Sequence, residues 1–339
     1  MWSDVPLGQD PGRPTVRTVA QLAGVSATTV SHVLNGGGGG ATRVSEATRE
    51  RVKTAAAELG YAPAQYARSM RIGRTEQVCL IADYPDTPWV QTMAREISRA
   101  AAAHGYTTMM FIGDGWERHL LRQGADGAVI ALGSMSAMGS EHLAPFVARG
   151  IGLVAVGKRM EPRGFDVVYW DDRAASTAAM RHLLETRRRI AFLRNYPDSV
   201  GEKSARFASY VSQLRAAKIP VEPDLIRDTR GSREEAYREA LDLLSGPKRP
   251  DAIFATSDLG AISALWAAHH LGVDVPGELS IVGVGNSSEG RLADPELTSV
   301  GPVDMLTRVA ETLIDRVQDP RQEGRLIRVP WRLHRRGTS

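Results

Sequence analysis

Only one cysteine, Cys79, occurs in the 339-residue chain. That excludes an intrachain disulfide framework and suits a reducing cytoplasm. No apolar run reaches the length of a membrane span. The opening residues, MWSDVPLGQDPGRP, show no basic stretch followed by an apolar one, so no secretory signal is read there. Signatures of catalysis are also missing. HExxH and GxSxG do not occur, and VGVGNSSEG has two glycines of a dinucleotide fingerprint but not the third. His269 and His270 are neighbours on an expected helix and point to different faces, a poor metal pair. Cys79 falls inside an expected strand, which makes it a core residue rather than a nucleophile. The expectation is a soluble cytoplasmic protein that is not an enzyme and needs no metal or cofactor. Aromatic residues are only 6%, yet six Trp, eight Tyr and six Phe within a 42% hydrophobic composition supply cores and argue against a disordered chain.

Large apolar side chains are scarce in residues 15–35, TVRTVAQLAGVSATTVSHVLN, where a core helix would carry a stripe of them. Acids are scarce there too. Between Arg13 and Thr75 nine basic residues (Arg13, Arg17, Arg43, Arg49, Arg51, Lys53, Arg68, Arg71, Arg74) face three acidic ones (Glu46, Glu50, Glu58). The head therefore carries +6, and the remainder of the +3 chain carries −3. A basic head on a nearly neutral body indicates a polyanion-binding module joined to something else.

Thr15 is placed to N-cap a helix from Val16, with Val16, Val19, Ala20 and Ala23 on one face. Gly24 suits a left-handed helix end, and Ser26 opens a second helix whose inner face is Val30, Val33 and Leu34. Two short helices crossing on Ala20 and Val30 make a helix-turn-helix. Its second helix turns Ala27, Thr28, Ser31, His32 and Asn35 outward, short groups suited to base edges and phosphates. Ser45 caps a third helix with Val52, Ala55, Ala56 and Leu59 inside, ending at Gly60. The following AQYARSMRIGRT, residues 64–75, has no core-sized apolar face, so alone it is a marginal helix that would order on DNA.

These motifs, TVAQLAGVSATTVSHVLN and RVSEATRERVKTAAAELGYAPAQYARSMRIGRT, together with the body after them, resemble the LacI/GalR (lactose-repressor) family of transcription regulators. The resemblance runs from Thr15 over nearly the whole chain. It implies a headpiece, a hinge helix that folds in the minor groove, and an effector-binding core like periplasmic sugar-binding proteins. It makes Ala27, Thr28 and His32 the base readers and Met70 the wedge at the central step. Thr15, Thr29, Ser31, Asn35, Ser45, Thr48, Tyr61, Ala67, Arg68 and Arg71 complete the DNA-facing set. Departures are visible: Met70 stands where the family usually has Leu, and His32 where Arg is common. GGGGGATR, from Gly36 to Arg43, lengthens the loop after the second helix as a flexible linker.

From Gln77 short β-branched runs alternate with helical stretches. Strands are expected at Val78–Ala82, Thr107–Ile112, Ala128–Leu132, Leu153–Val156, Val167–Trp170, Ile190–Leu193, Ala252–Thr256 and Ser280–Val284. The fold class is therefore α/β: a helix-turn-helix headpiece and a core of two doubly wound parallel sheets. The expected boundaries are an unstructured tail over 1–14, the headpiece over 15–63 and the hinge over 64–76. The core then splits into a first subdomain (77–170 and 302–325) and a second (171–301 and 326–339). The ligand cleft falls at the carboxyl ends of the strands. Asp83, Trp89, Ser134, Trp170, Asp171, Arg206, Asp258 and Asn286 are its candidate residues. The resemblance makes Arg206 in RFASY the effector-gripping cation, with Ser209 replacing a glycine. Asp258 in TSD would accept ligand hydroxyls. Gly285 and Asn286 replace two acids of the family pattern, and Gly231 an aromatic, so a sugar is only one candidate; Trp89, Trp116 and Trp170 suit a sugar or another flat ligand. A homodimer on a palindromic DNA operator is expected, as a repressor or, alternatively, an activator. A ligand-binding protein or enzyme with no DNA role would leave the basic head unexplained.

Overall fold

A computed structural model of the chain describes residues 14–34, 44–61, 73–83, 85, 87–122, 124–132, 139–157, 159–195 and 204–339. Two compact units divide it, Met1–Thr75 and Glu76–Ser339. The loop from Gly36 to Arg43 and residues 64–72 of the hinge expected over 64–76 lie outside the described residues.

Three helices form the first unit: α1 (Val16–Ala23), α2 (Ala27–Leu34) and α3 (Glu46–Glu58). Val19, Val30 and Val52 are fully buried between them, with Ala20, Ala23, Ala55 and Ala56. Small residues at the contacts let such short helices approach closely. The scarcity of large apolar groups is thus the packing solution of a very small core. Each helix starts on a hydroxyl cap. Thr15 Oγ1 accepts from Thr18 N (3.3 Å), Ser26 Oγ from Thr29 N (3.1 Å) and Ser45 Oγ from Thr48 N (3.2 Å). Gly24 ends α1 at φ +64°, and Val25 N then bonds Ala20 O at 3.0 Å.

The second unit holds two six-stranded sheets. Its elements are β1 (Gln77–Ala82), α4 (Pro88–Ala103), β2 (Thr107–Ile112), α5 (Trp116–Leu121), β3 (Gly127–Ala131), α6 (Ala144–Val147), β4 (Gly152–Gly157) and β5 (Asp166–Tyr169). Then follow α7 (Arg173–Thr186), β6 (Ile190–Arg194), α8 (Ala205–Ala216), β7 (Ile226–Asp228), α9 (Arg233–Ser245), β8 (Ala252–Ala255) and α10 (Asp258–His270). The chain closes with β9 (Ser280–Val284), α11 (Ser288–Leu292), β10 (Thr298–Pro302), α12 (Met305–Gln318), β11 (Leu326–Arg328) and β12 (Trp331–His334). The first sheet is ordered β11-β5-β4-β3-β1-β2 and the second β12-β10-β9-β8-β6-β7. Among the described residues the strand pairings are parallel except β10 with β12.

Both faces of the sheets are covered. In β1, Val78 and Leu80 pack with Val90, Met93 and Leu313, while Cys79 and Ile81 pack with Leu120 and Phe146 on the other side. Such strands read as unbroken apolar runs. Gly152 lets α12 lie close on the first sheet, since a Cβ there would sit 2.9 Å from the Arg316 carbonyl oxygen.

One expected boundary is corrected. Residues from 326 are expected in the second subdomain, but Leu326–Arg328 pair in parallel with Val167–Tyr169 in the first sheet. The chain crosses to the second sheet only at Val329–Pro330, before Trp331–His334 pair antiparallel with β10. A three-residue strand is too short for periodicity to reveal. Among the described residues no helix is long and apolar enough to cross a membrane.

Candidate functional site

The helix-turn-helix presents its second helix outward at one edge. Ala27 and Thr28 are exposed, and Ser31 and His32 are half-buried on the same side. Thr29, one step round the helix, spends its hydroxyl on Ser26 Oγ at 2.8 Å. Ser45 Oγ and Thr48 Oγ1 pair likewise at 2.9 Å, and Thr15 caps α1. Tyr61 packs against the headpiece core and donates its backbone N–H to Ala56 O at 2.8 Å. Asn35, Ala67, Arg68, Met70 and Arg71 lie outside the described residues.

In the second unit the strand ends bring several candidates together where the chain crosses between sheets. Trp170 follows β5, and Trp331 opens β12. Their rings stack, with centroids 5.3 Å apart and planes 11° from parallel. Trp89, in the first turn of α4, meets Trp170 edge-on at 6.1 Å. Arg206, in the first turn of α8, lies over Trp331, its Cζ 5.8 Å from the ring centroid. The tryptophans and the arginine thus form one pile bridging the two sheets.

Arg206, the expected effector-gripping cation, already holds two partners within the chain. Its Nε donates to Asp172 Oδ2 at 2.7 Å and its Nη1 to the Thr256 carbonyl at 2.8 Å. Asp171, the sequence candidate, is exposed and accepts from Arg173 N at 3.0 Å. The adjacent Asp172 is the buried partner.

Asp258 does not offer its carboxylate to a ligand. It is buried at the start of α10, where Oδ1 accepts from Ser299 Oγ and Oδ2 from Ser287 N, each at 2.6 Å. Burial pushes its pKa up, with the hydrogen bonds from Ser287 and Ser299 pulling the other way. Asn286 is equally committed. Its Nδ2 donates to Pro302 O at 2.9 Å, its backbone N to Ser299 Oγ at 2.9 Å, and its Oδ1 accepts from Arg336. It holds φ +52°, and it ties the end of β9 to the point where β10 leaves the sheet.

Trp116 belongs elsewhere: it is buried beneath the first sheet against Phe146, with ring centroids 5.5 Å apart. Asp83 closes β1 half-buried, and Ser134 lies outside the described residues. Cys79 is buried in β1, and burial pushes its thiol up to about 12, so it is no nucleophile. Asp172, Trp331, Ser299 and Arg336 escaped the sequence reading. Only Asp172 had a local signal, as the second acid of WDDR just before a helix. Among the described residues no group of three His, Cys, Asp or Glu could hold a metal ion.

Comparison with known proteins agrees with this organisation. Residues 15–64 match the family of bacterial regulatory proteins called the lacI family, and residues 180–339 match a periplasmic binding protein-like domain. The HTH-type transcriptional repressor PurR of Escherichia coli is 31% identical over 331 residues, covering 94% of this chain and 95% of that protein. The transcriptional regulator CelR in complex with cellobiose is 28% identical with a TM-score of 0.61, covering 96% of this chain and all (100%) of that one. The lac repressor dimer bound to operator and the anti-inducer ONPF shares the fold, at 22% identity and a TM-score of 0.67, over 96% of this chain and 98% of that one. With its helix-turn-helix, its two-sheet core and that full-length similarity, the chain belongs to the LacI family of DNA-binding transcriptional regulators.

Proposed function

We propose that the protein is a cytoplasmic repressor that binds a two-fold symmetric operator as a homodimer and is switched by a small molecule in the cleft of its core. The observation that carries the first half is the exposed Ala27–Thr28 edge of α2, with Ser31 and His32 beside it, on a head of charge +6. One such helix reads a half-site in the major groove, so a full operator needs two. The wedge role of Met70 and the phosphate roles of Arg68 and Arg71 are assigned on sequence resemblance.

The second half rests on where the crossovers lie. The pile of Trp89, Trp170, Trp331 and Arg206 joins both sheets at their strand ends. A ligand that engages Arg206 acts on the segment whose rearrangement moves one sheet against the other. A relative with cellobiose bound supports a small-molecule effector.

Selection of bound duplexes from a random pool, followed by sedimentation, tests it. The expected outcome is an inverted repeat occupied by one dimer. A protein that stays monomeric at micromolar concentration with and without the selected duplex, or a selected site without symmetry, rules it out.

A further inference from the structure

The two faces of β12 differ in kind. Trp331 and Leu333 turn to one side and pack with Phe192, Tyr210 and Val300 in the second core. Successive side chains of a strand alternate, so Arg332 and His334 turn to the other side, about 7 Å apart. His334 stands opposite Ser299 in the antiparallel register, and opposite residues share a face. Ser299 donates to Asp258 Oδ1 at 2.6 Å, so this face lies over the start of α10. Arg336 reaches the same place from just beyond the strand. Its Nη1 donates to Leu297 O at 2.6 Å and its Nη2 to Asn286 Oδ1. From α11, Arg291 Nη1 donates to the Asn286 carbonyl at 2.8 Å, so two guanidinium groups meet on one asparagine.

Negative charge does not match them. Glu296 lies 3.9 Å from Arg336 Nε and is mostly exposed, while the Arg336 side chain keeps only 13% exposure. Burial pushes the Asp258 carboxyl toward its neutral form, against the bonds from Ser287 and Ser299. Arg291 and Arg332 are exposed and, among the described residues, have no carboxylate partner. The cations act on one another. Burial lowers the Arg336 pKa and the charge of Arg291 lowers it further, against the pull of Asp258 and Glu296. His334, lowered first by burial, also carries the influence of Arg336, Arg332 and Arg291.

We propose that Arg291, Arg332 and Arg336 form a site for a phosphate-type oxyanion, free or carried on a small metabolite, on the face of β12 opposite the Trp331–Arg206 contact. Arg291 keeps Nε and Nη2 for a ligand, and the Arg332 guanidinium is uncommitted among the described residues. A tetrahedral oxyanion has acceptors for both through charge-assisted bonds. A neutral hydroxyl takes a donor but leaves the repulsion among three guanidinium groups in place, whereas an anion cancels it. The site stands apart from the effector cleft but beside the crossovers. Arg332 follows the Val329–Pro330 crossover and pairs in register with Gly301, next to Pro302 where β10 ends. An anion spanning Arg291 and Arg332 therefore ties α11 to the strand that enters the second sheet.

Titration calorimetry and thermal unfolding of the full chain with inorganic phosphate, in chloride buffer at constant ionic strength, test the site. Glycerol 3-phosphate and glycerol form the matched pair. Phosphate is expected to bind saturably and to raise the unfolding midpoint by about 3 °C or more at about 10 mM, with glycerol inert. Arg332→Gln and Arg291→Gln should each weaken phosphate at least about tenfold, while Arg206→Gln, on the other side of the strand, leaves it within about twofold. Both positions are exposed, and an unchanged midpoint without phosphate shows that the variants fold. Glycerol 3-phosphate binding as tightly as phosphate assigns the site to a metabolite's phosphate group, and binding of inorganic phosphate alone assigns it to the free ion. Glycerol binding as well as its phosphate ester overturns the site, as does no binding of either phosphate. Stabilisation that never saturates and persists in Arg332→Gln is ion exclusion and also overturns it. Phosphate binding lost in Arg206→Gln but kept in Arg332→Gln moves the anion to the cleft and removes the site proposed here. Arg332→Gln that weakens duplex DNA but not phosphate makes the cluster a DNA contact instead.

Discussion

Arg316 and Asp166 form an ion pair in which neither side chain has any solvent exposure. Arg316 Nε lies 3.2 Å from Asp166 Oδ2, and Nη2 contacts Oδ1. Arg325 adds its own guanidinium to Oδ2 at 2.8 Å and its backbone N–H to Oδ1 at 2.8 Å. The remaining Arg316 donors reach the carbonyls of Gln322 and Glu323 at 2.7 and 3.0 Å. One buried carboxylate thus joins the start of β5, the last turn of α12 and the segment leading into β11. Replacing Arg316 by Met removes the fully buried partner and leaves the carboxylate to Arg325 alone, and the loss is expected to be up to about 3–5 kcal/mol. Urea unfolding of Arg316→Met measures it. The double variant Arg316→Met with Asp166→Leu should recover part of the loss, because the buried carboxylate that lost this partner is gone.

The same carboxylate sets a pH dependence. Burial works to raise the Asp166 pKa, but hydrogen bonds from Arg325 and Arg316 hold it below its ordinary 3.8. A depressed acid contributes stability above its unfolded pKa and loses it as pH falls through the folded value. Its share should therefore be constant from neutral pH down to about 5 and disappear below about 4. His334 acts in a higher window. Burial holds its pKa below 6.5, helped by the charges of Arg336, Arg332 and Arg291 and opposed by its bond to the Gly301 carbonyl. The unfolded chain then takes up a proton first, so stability declines as pH falls through about 6.5. Urea midpoints against pH should show both steps. Asp166→Asn should remove the lower one and His334→Gln the upper.

Headpiece residues separate into caps and readers. Ser45→Ala removes the acceptor for Thr48 N and is expected to lower headpiece stability by about 1 kcal/mol. Thr28→Ala removes an exposed hydroxyl with no role in the fold. Hydrogen exchange of headpiece amides in the full chain should change for Ser45→Ala and not for Thr28→Ala. Thr28→Ala should instead alter the preferred operator base, worth about 1–3 kcal/mol of discrimination. A Thr28→Ala protein that selects the wild-type operator removes Thr28 from the reading surface.

The caps explain why so much of the headpiece was legible. Thr15, Gly24, Ser26 and Ser45 act within three or four residues of themselves, and a local rule finds them. The central strands were legible for a similar reason, since Val78–Ala82 or Ile253–Ala255 is apolar on both faces. The strands β11 and β12 were not, because LIR and WRLH have no period and are placed by partners such as Val167, distant in the chain. Site residues divide the same way. The position of Arg206 followed from a local motif, but its partner Asp172 lies 34 residues earlier, and Asp258 is closed off by Ser299, 41 residues later. Whether a polar residue is free or spent depends on such pairings.

For Met70 the expectation comes from the resemblance to the family. The sequence of residues 64–72 predicts too little intrinsic helix stability to fold alone, and minor-groove contacts would supply it. Met70→Ala is expected to weaken specific operator binding and reduce the bend angle. Nonspecific binding, carried by the basic residues, should stay unchanged at the same salt concentration. Gel mobility with circularly permuted operator fragments reads the bend. Unchanged specific affinity and bending remove the wedge.

Trp331 separates packing from polarity within one side chain. Its ring stacks on Trp170 and carries Arg206, yet its buried Nε1 has no hydrogen-bond partner among the described residues. A buried donor without a partner costs about 1–3 kcal/mol, whereas the aromatic pair contributes about 0.5–1.5 kcal/mol beyond its buried area. Trp331→Phe keeps a ring against Trp170 and deletes the unpaired N–H, so the smaller contact is offset and the change should be nearly neutral. Trp331→Ala deletes both, opens a gap between the sheets and frees the face under Arg206. It should cost about 2–4 kcal/mol. Urea unfolding of the two variants, followed by circular dichroism so that the signal does not depend on the removed indole, gives the comparison. If Trp331→Phe costs as much as Trp331→Ala, the N–H contributes to stability and the stack alone does not hold the crossover.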